Sequence, residues 1–203
     1  MRIEAWHFAR ADMRLGYGDG REIVVGETLS VDYTPKCCLR GLHGSVKAID
    51  ALQYAQGPML CRVVLSGNMD QQDDKIAAEH RKTLNAFDAT ALLLAFARWC
   101  ALQVIHDWQA PQVVIDFLRT GDESLRAAAR AAAATPGGAV RAAWAAAAAG
   151  AAGAATAAGS AAWAAGEAWA AAGNRQAAQL LIIIREAYAG QTEWIWELPE
   201  VTE

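Results

Sequence analysis

Apolar and polar residues alternate through the first part of this chain, and later the apolar residues recur at helical spacing. Ile3-Glu4-Ala5-Trp6-His7-Phe8 predicts a first strand. Glu22-Ile23-Val24-Val25, followed by Gly26-Glu27-Thr28-Leu29, predicts a short extended pair with a turn. Between them lies the loop Gly16-Tyr17-Gly18-Asp19-Gly20, rich in residues that tolerate positive φ. Cys38 to His43 reads as a strand ending at Gly44-Ser45. Ser45 is then a good N-cap for a helix carrying Val46, Ile49 and Leu52 at helical spacing and ending at Gly57-Pro58. Met59 to Leu65 is the clearest strand, closed by Ser66-Gly67-Asn68. Asp70 to Lys75 reads as a charged loop, and Ile76 to Leu84 fits a strand and a helix equally.

Helical signals dominate from residue 88 onward. Asp88 precedes the apolar run Leu92 to Trp108, and Pro111 opens a helix that Gly121 closes. Asp122 or Ser124 can cap the next helix, which enters an alanine tract. Between Ala127 and Gly173, 29 of 47 residues are alanine, and the charged residues there are Arg130, Arg141 and Glu167. Alanine has the highest helix propensity, so this tract can be helical without help from packing. Thr135-Pro136-Gly137-Gly138 predicts a turn within it. Gly159, Gly166 and Gly173 fall seven residues apart and would line one side of a helix, where a close neighbour offsets their cost of about 1 kcal/mol each. Trp144, Trp163 and Trp169 are the large side chains of the tract and are candidate knobs for an interface. Arg175 to Tyr188 reads as an amphipathic helix, and Glu193 to Leu198 as an edge strand or extended tail. The fold class expected is therefore α+β. A small mixed α/β domain (1–86) is followed by a helical connector (87–126), an all-helical, alanine-rich region (127–190) and an extended tail (191–203).

Composition narrows the function classes. The chain has 203 residues and a net charge of −4, which leaves no basic footprint for nucleic acid. Met1-Arg2-Ile3-Glu4 is not the start of a secretory signal, and a cytoplasmic setting is expected. Cys37, Cys38, Cys61 and Cys100 lack disulfide-framework or zinc-like spacing, so reduced thiols and no metal or other cofactor are expected. The uncharged run 142–166 is long enough to cross a bilayer but is built of alanine and glycine, so a soluble helical layer is favoured over a membrane span. Alanine helices bury little area per residue and need many neighbours or a partner chain, which makes self-association an expectation.

The candidate chemistry gathers in the N-terminal part. His43, between Gly41 and Ser45, could contact a ligand, with Ser45 and the N–H groups of a helix start accepting an anion. The plainer reading makes His43 a buried hydrogen-bonding residue and Ser45 an ordinary cap. Lys75, Arg81 or Lys82, within the mixed cluster Asp73 to Lys82, could hold phosphate, although such clusters are usually solvated faces. Arg40 completes the set of candidate ligand contacts: Arg40, His43, Ser45, Lys75 and Arg81. Cys37-Cys38 with His43 would make a nucleophile pair but has no third orienting group, and His7 reads as an alternating strand residue rather than a base.

Arg40-Gly41-Leu42-His43-Gly44-Ser45, Asp50 to Ala55, Cys61-Arg62-Val63 with Gly67, Asp74-Lys75, Ala97 to Ala101 and Gly121 to Ser124 together resemble an uncharacterised bacteriophage and bacterial family. Its members carry a Gly-(Phe/Leu)-His-x-Ser segment and a tail of Ala/Trp repeats. That resemblance implies a phage or prophage origin and no established activity. This chain departs from the family in its tail, where Arg, Asp and Trp are sparser and glycine is common. Three functions follow as expectations. The first is a non-enzymatic, phage-derived binding protein, with counter-defence by sequestering a nucleotide-like signal as its specific form. The second is a self-assembling structural protein. The third is an ADP-ribosyltransferase-like enzyme, from a fainter similarity in element order, for which Glu79 would be the acid.

Overall fold

The computed structural model describes residues 1–105, 108–132, 153–168 and 172–187. Two compact units divide the chain: residues 1–91 with 153–156, and residues 92–152 with 157–203. The first unit is built on an antiparallel sheet of five strands: β1 (Arg2–Ala9), β2 (Thr28–Ser30), β3 (Leu42–Gly44), β4 (Met59–Gln71) and β5 (Ile76–Asp88). The two long strands form a hairpin whose turn is closed by the Gln72 N–H donating to the Lys75 carbonyl at 2.8 Å. β4 also pairs with β1 along its whole length, from Arg2↔Ser66 to Ala9↔Met59. The other edge of β5 takes β3 at Ile76 to Ala78 and β2 at His80 to Lys82.

This arrangement corrects the sequence reading. The N-terminal region is an antiparallel β-sheet with one six-residue helix, α1 (Ala48–Gln53), rather than a small mixed α/β domain. Ile76 to Leu84, open between strand and helix, is strand, because pairing on both edges outweighs the helix preference of Ala77 and Ala78. β4 does not stop at Ser66-Gly67-Asn68; it passes through them by an irregularity between Ser66 and Met69, with Gly67 at φ +80°. Ser45 is not the cap of α1, which begins at Ala48 with Lys47 as its N-cap residue and no side-chain cap bond.

The sheet curls. β3 pairs with β5, and the next residue, Ser45, exchanges both backbone hydrogen bonds with Trp6 of β1 at 2.7 and 2.9 Å. Glycines permit so close an approach. A Cβ on Gly44 would lie 3.2 Å from Ala5 Cβ and 3.3 Å from both Leu65 Cδ1 and the Trp6 carbonyl oxygen. Gly41 has φ +118° and would press Pro35 and Ala77 if it bore a side chain. Opposed residues share a face, so Ile3, Ala5, Val63 and Leu65 form one apolar surface, joined by Cys61, Ile76 and Ala78 in the core.

The helices of the second unit are α2 (Thr90–Gln103, whose first two residues belong to the first unit), α3 (Gln112–Thr120), α4 (Arg126–Ala132), α5 (Ala154–Ala168, whose first three residues belong to the first unit) and α6 (Ala172–Ala187). Asp88 accepts the Thr90 N–H at 2.8 Å at the start of α2, and Gly121 closes α3 in the left-handed conformation. Phe96, Ala97, Cys100, Val114 and Phe117 are buried to the last atom. Gln176 Nε2 donates to the Ala162 carbonyl at 2.8 Å, linking α6 to α5. An all-helical region over 127–190 is not what the structure gives: helices cover 126–132, 154–168 and 172–187, and 133–152, 169–171 and the residues after 187 lie outside the described residues. Trp144 and Trp169, both candidate interface residues, lie outside as well. Gly159, Trp163 and Gly166 fall in α5 and Gly173 in α6. Among the described residues, no helix is long and apolar enough to cross a membrane.

A Cβ on Gly57 would meet the Ala9 carbonyl oxygen and Arg10 Cα at 2.8 Å, both backbone atoms with no freedom to retreat. Gly57→Ala is expected to lower the unfolding free energy by about 1–3 kcal/mol, the usual cost of overpacking, as measured by urea denaturation.

Candidate functional site

Arg81 stands in the middle of β5, opposite Leu65 of β4, which is opposite Ile3 of β1. Its register therefore raises a guanidinium from the apolar face of the sheet. The side chain is 1% exposed. Nη1 donates to the His43 carbonyl at 2.8 Å, while Nε and Nη2 are buried without a hydrogen-bond partner. Among the described residues no carboxylate lies within ion-pairing distance of it. Burial pulls its pKa down to about 10, which still leaves it charged at neutral pH.

The guanidinium lines a cleft of about 520 Å³. His7 of β1 and His43 of β3 line it too, brought there by the curl of the sheet. Burial, then the charge of Arg81, then His43 hold His7 well below the ordinary histidine value. Burial and Arg81 lower His43 in the same way, against a hydrogen bond with the Gly41 backbone that raises it. Both rings are thus neutral at pH 7, and His43 Nε2 is buried without a partner. The lining of the cleft thus places Arg81, a fixed cation with two buried nitrogens that lack a partner, beside two neutral imidazoles.

The rim carries further cations and three tyrosines. Lys75 Nζ sits 4.4 Å above the Tyr54 ring and donates to its hydroxyl at 3.1 Å, while that hydroxyl donates to Asp74. Cys38 and then Tyr54 beside the ammonium raise the Lys75 pKa. Arg40 lies 5.6 Å above the Tyr33 ring and donates to the Thr34 carbonyl. One carboxylate, Asp19, lines the cleft among the described residues, and Arg21 engages both of its oxygens at 2.7 and 2.8 Å. In a chain of net charge −4, this cleft is locally cationic. Tyr17 and Cys38 on its rim have φ of +55° and +64°, a conformation that costs a non-glycine residue about 1 kcal/mol or more.

All five ligand-contact candidates, Arg40, His43, Ser45, Lys75 and Arg81, line this one cleft. They do so by a route the sequence did not indicate. Ser45 contributes as a bridge to β1, and six-residue α1 is too short to supply an anion site at its start. Arg81 is not on a solvated face: strand alternation separates it from His80 and Lys82. His7, by sequence an alternating strand residue, falls on the Ile3, Ala5, His7, Ala9 face without being a predicted ligand contact, and Tyr17, bracketed by glycines, reads only as part of a loop. Glu79 does not line the cleft; its carboxylate accepts from the backbone and side-chain nitrogens of Asn68, each at 2.9 Å. Cys37 is buried with its thiol pushed up by desolvation, and Cys61 is pushed up to about 11, so neither is a ready nucleophile. No group of three or more His, Cys, Asp or Glu residues suited to a metal occurs among the described residues.

The neutral histidines set a pH dependence. The unfolded chain binds protons at His7 and His43 below about pH 6.5, whereas the folded chain resists them, so the unfolded state holds more protons as pH falls. Unfolding free energy is expected to be level above pH 6.5 and to drop between pH 6.5 and 5, by at most about 1.4 kcal/mol per pH unit for each histidine. Urea titrations across that range check this, and His7→Gln should make the slope shallower.

Comparison with known proteins adds a span rather than an activity. No curated protein and no solved structure matches the chain. Residues 3–95 match a family described as a domain of unknown function (DUF7666), a span that contains the five strands but for the first residue of β1, holds every residue lining the cleft and stops short of the alanine-rich tract.

Proposed function

We propose that the N-terminal sheet is a binding module for a small molecule bearing a phosphate-like anion. Arg81 carries this reading. A buried guanidinium without a counter-charge is expensive, because desolvation is not repaid by an ion pair. An anion in the cleft repays it by accepting from Nε and Nη2, with Lys75 adding a flexible point charge at the rim. Two neutral imidazoles beside the cation can each donate one hydrogen bond to the same group without adding charge repulsion. Sequestration of a nucleotide-like signal, the form expected from the phage-like sequence, is the setting this chemistry suits: capture needs affinity and no nucleophile.

Calorimetry with inorganic pyrophosphate tests the reading. The wild-type chain should bind it, and Arg81→Met should weaken binding at least tenfold, the worth of one charge-assisted hydrogen bond. The same variant should unfold at an equal or higher temperature, since it replaces an unpaired buried cation with an apolar side chain of similar length. Unchanged pyrophosphate affinity in Arg81→Met would overturn the reading.

A further inference from the structure

Three tyrosines line the cleft, and two already have company: Lys75 covers Tyr54 and Arg40 covers Tyr33. Tyr17 differs. Its side chain is 94% exposed, and among the described residues it has no hydrogen bond, ring or cation partner. It is nevertheless held in place. The loop is closed at its base by the Leu15 N–H donating to the Arg21 carbonyl at 2.8 Å and the Gly20 N–H to the Leu15 carbonyl at 3.2 Å. Arg21 in turn grips Asp19 and the Ser30 carbonyl, and Arg14 donates to the Gly20 carbonyl. Within this tied loop, Tyr17 takes φ +55° between Gly16, which lies against the Gln56 side chain, and Gly18, which faces open space. The loop therefore holds an aromatic ring out in water, in a conformation disfavoured for tyrosine.

Its position gives that ring a use. Gly16, Tyr17 and Gln56 line the cleft and also a second, more open groove of about 570 Å³ that includes Arg10, Ala11 and Asp12. Tyr17 thus stands where the cationic cleft opens outward, and a molecule anchored on Arg81 would leave past it. We infer that the ligand is a nucleotide whose phosphate lies on Arg81 and whose base stacks on Tyr17. An unoccupied aromatic face beside a cationic pocket is the pairing by which proteins hold nucleotide bases without reading their edges. A phosphorylated sugar satisfies Arg81 and leaves Tyr17 unused.

The inference rests on the anion reading, and the test separates the two. Calorimetry on the full chain compares inorganic pyrophosphate, ribose 5-phosphate and adenosine 5′-monophosphate. The expected result is that the adenosine nucleotide binds about tenfold or more tighter than ribose 5-phosphate. Tyr17→Ala should abolish that difference while leaving ribose 5-phosphate and pyrophosphate binding as in wild type, and Tyr17→Phe should retain it. Equal affinity for ribose 5-phosphate and the nucleotide in the wild-type chain would overturn the stacking inference and leave the anion reading standing. So would a Tyr17→Ala variant that weakens all three probes alike. Failure of all three probes to bind the wild-type chain would overturn both.

Discussion

A buried guanidinium on an apolar sheet is the constraint from which the rest of this domain is understood. Arg81 cannot move to solvent, because its backbone is paired on both edges, to Leu65 and to Leu29. Its guanidinium donates to one carbonyl and leaves Nε and Nη2 without a partner. Each buried donor left without a partner costs about 1–3 kcal/mol, so the sheet carries this residue at the expense of its own stability. That cost is borne by the long β4–β5 ladder and by the core of Cys61, Val63, Leu65 and Ile76, none of which needs the cation.

The cation also shapes its surroundings. It helps keep His7 and His43 uncharged, so one positive centre does not become three. It takes the carbonyl of His43 and so ties β5 to β3 by a side chain as well as by the ladder. Closure at Trp6 and Ser45 then draws positions 6–7, 43–45 and 81 into one small volume. Gly41 and Gly44 allow this because the space a Cβ would need is occupied by neighbouring strands. Strained backbone at Tyr17 and Cys38 falls on the rim of the same cleft, as expected where local strain is kept for a site rather than for the fold.

Much of the secondary structure was legible. Alternation marked β1, the apolar run Met59 to Leu65 marked the first half of β4, and Asp88, Pro111 and Gly121 marked helix ends that the structure retains. The failures have physical causes. Ser45 has the chemistry of a cap, but a backbone bridge to Trp6 claims its amide and carbonyl first. Ala77 and Ala78 favour helix locally, and pairing on both edges overrides them. The mixed α/β expectation failed because segments of three residues, too short to show a period, become strands when a long neighbour offers free hydrogen bonds. The candidate ligand contacts were chosen by residue type, and five of them do meet; their common setting is set by the curl, which no local pattern encodes.

By itself the sequence determined which residue types were available: a net negative charge with no basic footprint, an alanine tract poor in chemistry, and an N-terminal part, residues 1–86, holding the histidines, arginines and tyrosines that could recognise a ligand. Local alternation and helix-end chemistry act between near neighbours, so they were readable from the chain. Tertiary structure alone decided that Arg81 is buried rather than solvated, and that His7, 36 residues before His43, shares its cleft. Burial of a charge depends on which strands flank it and which way the sheet bends, and those are settled by contacts between residues far apart in sequence.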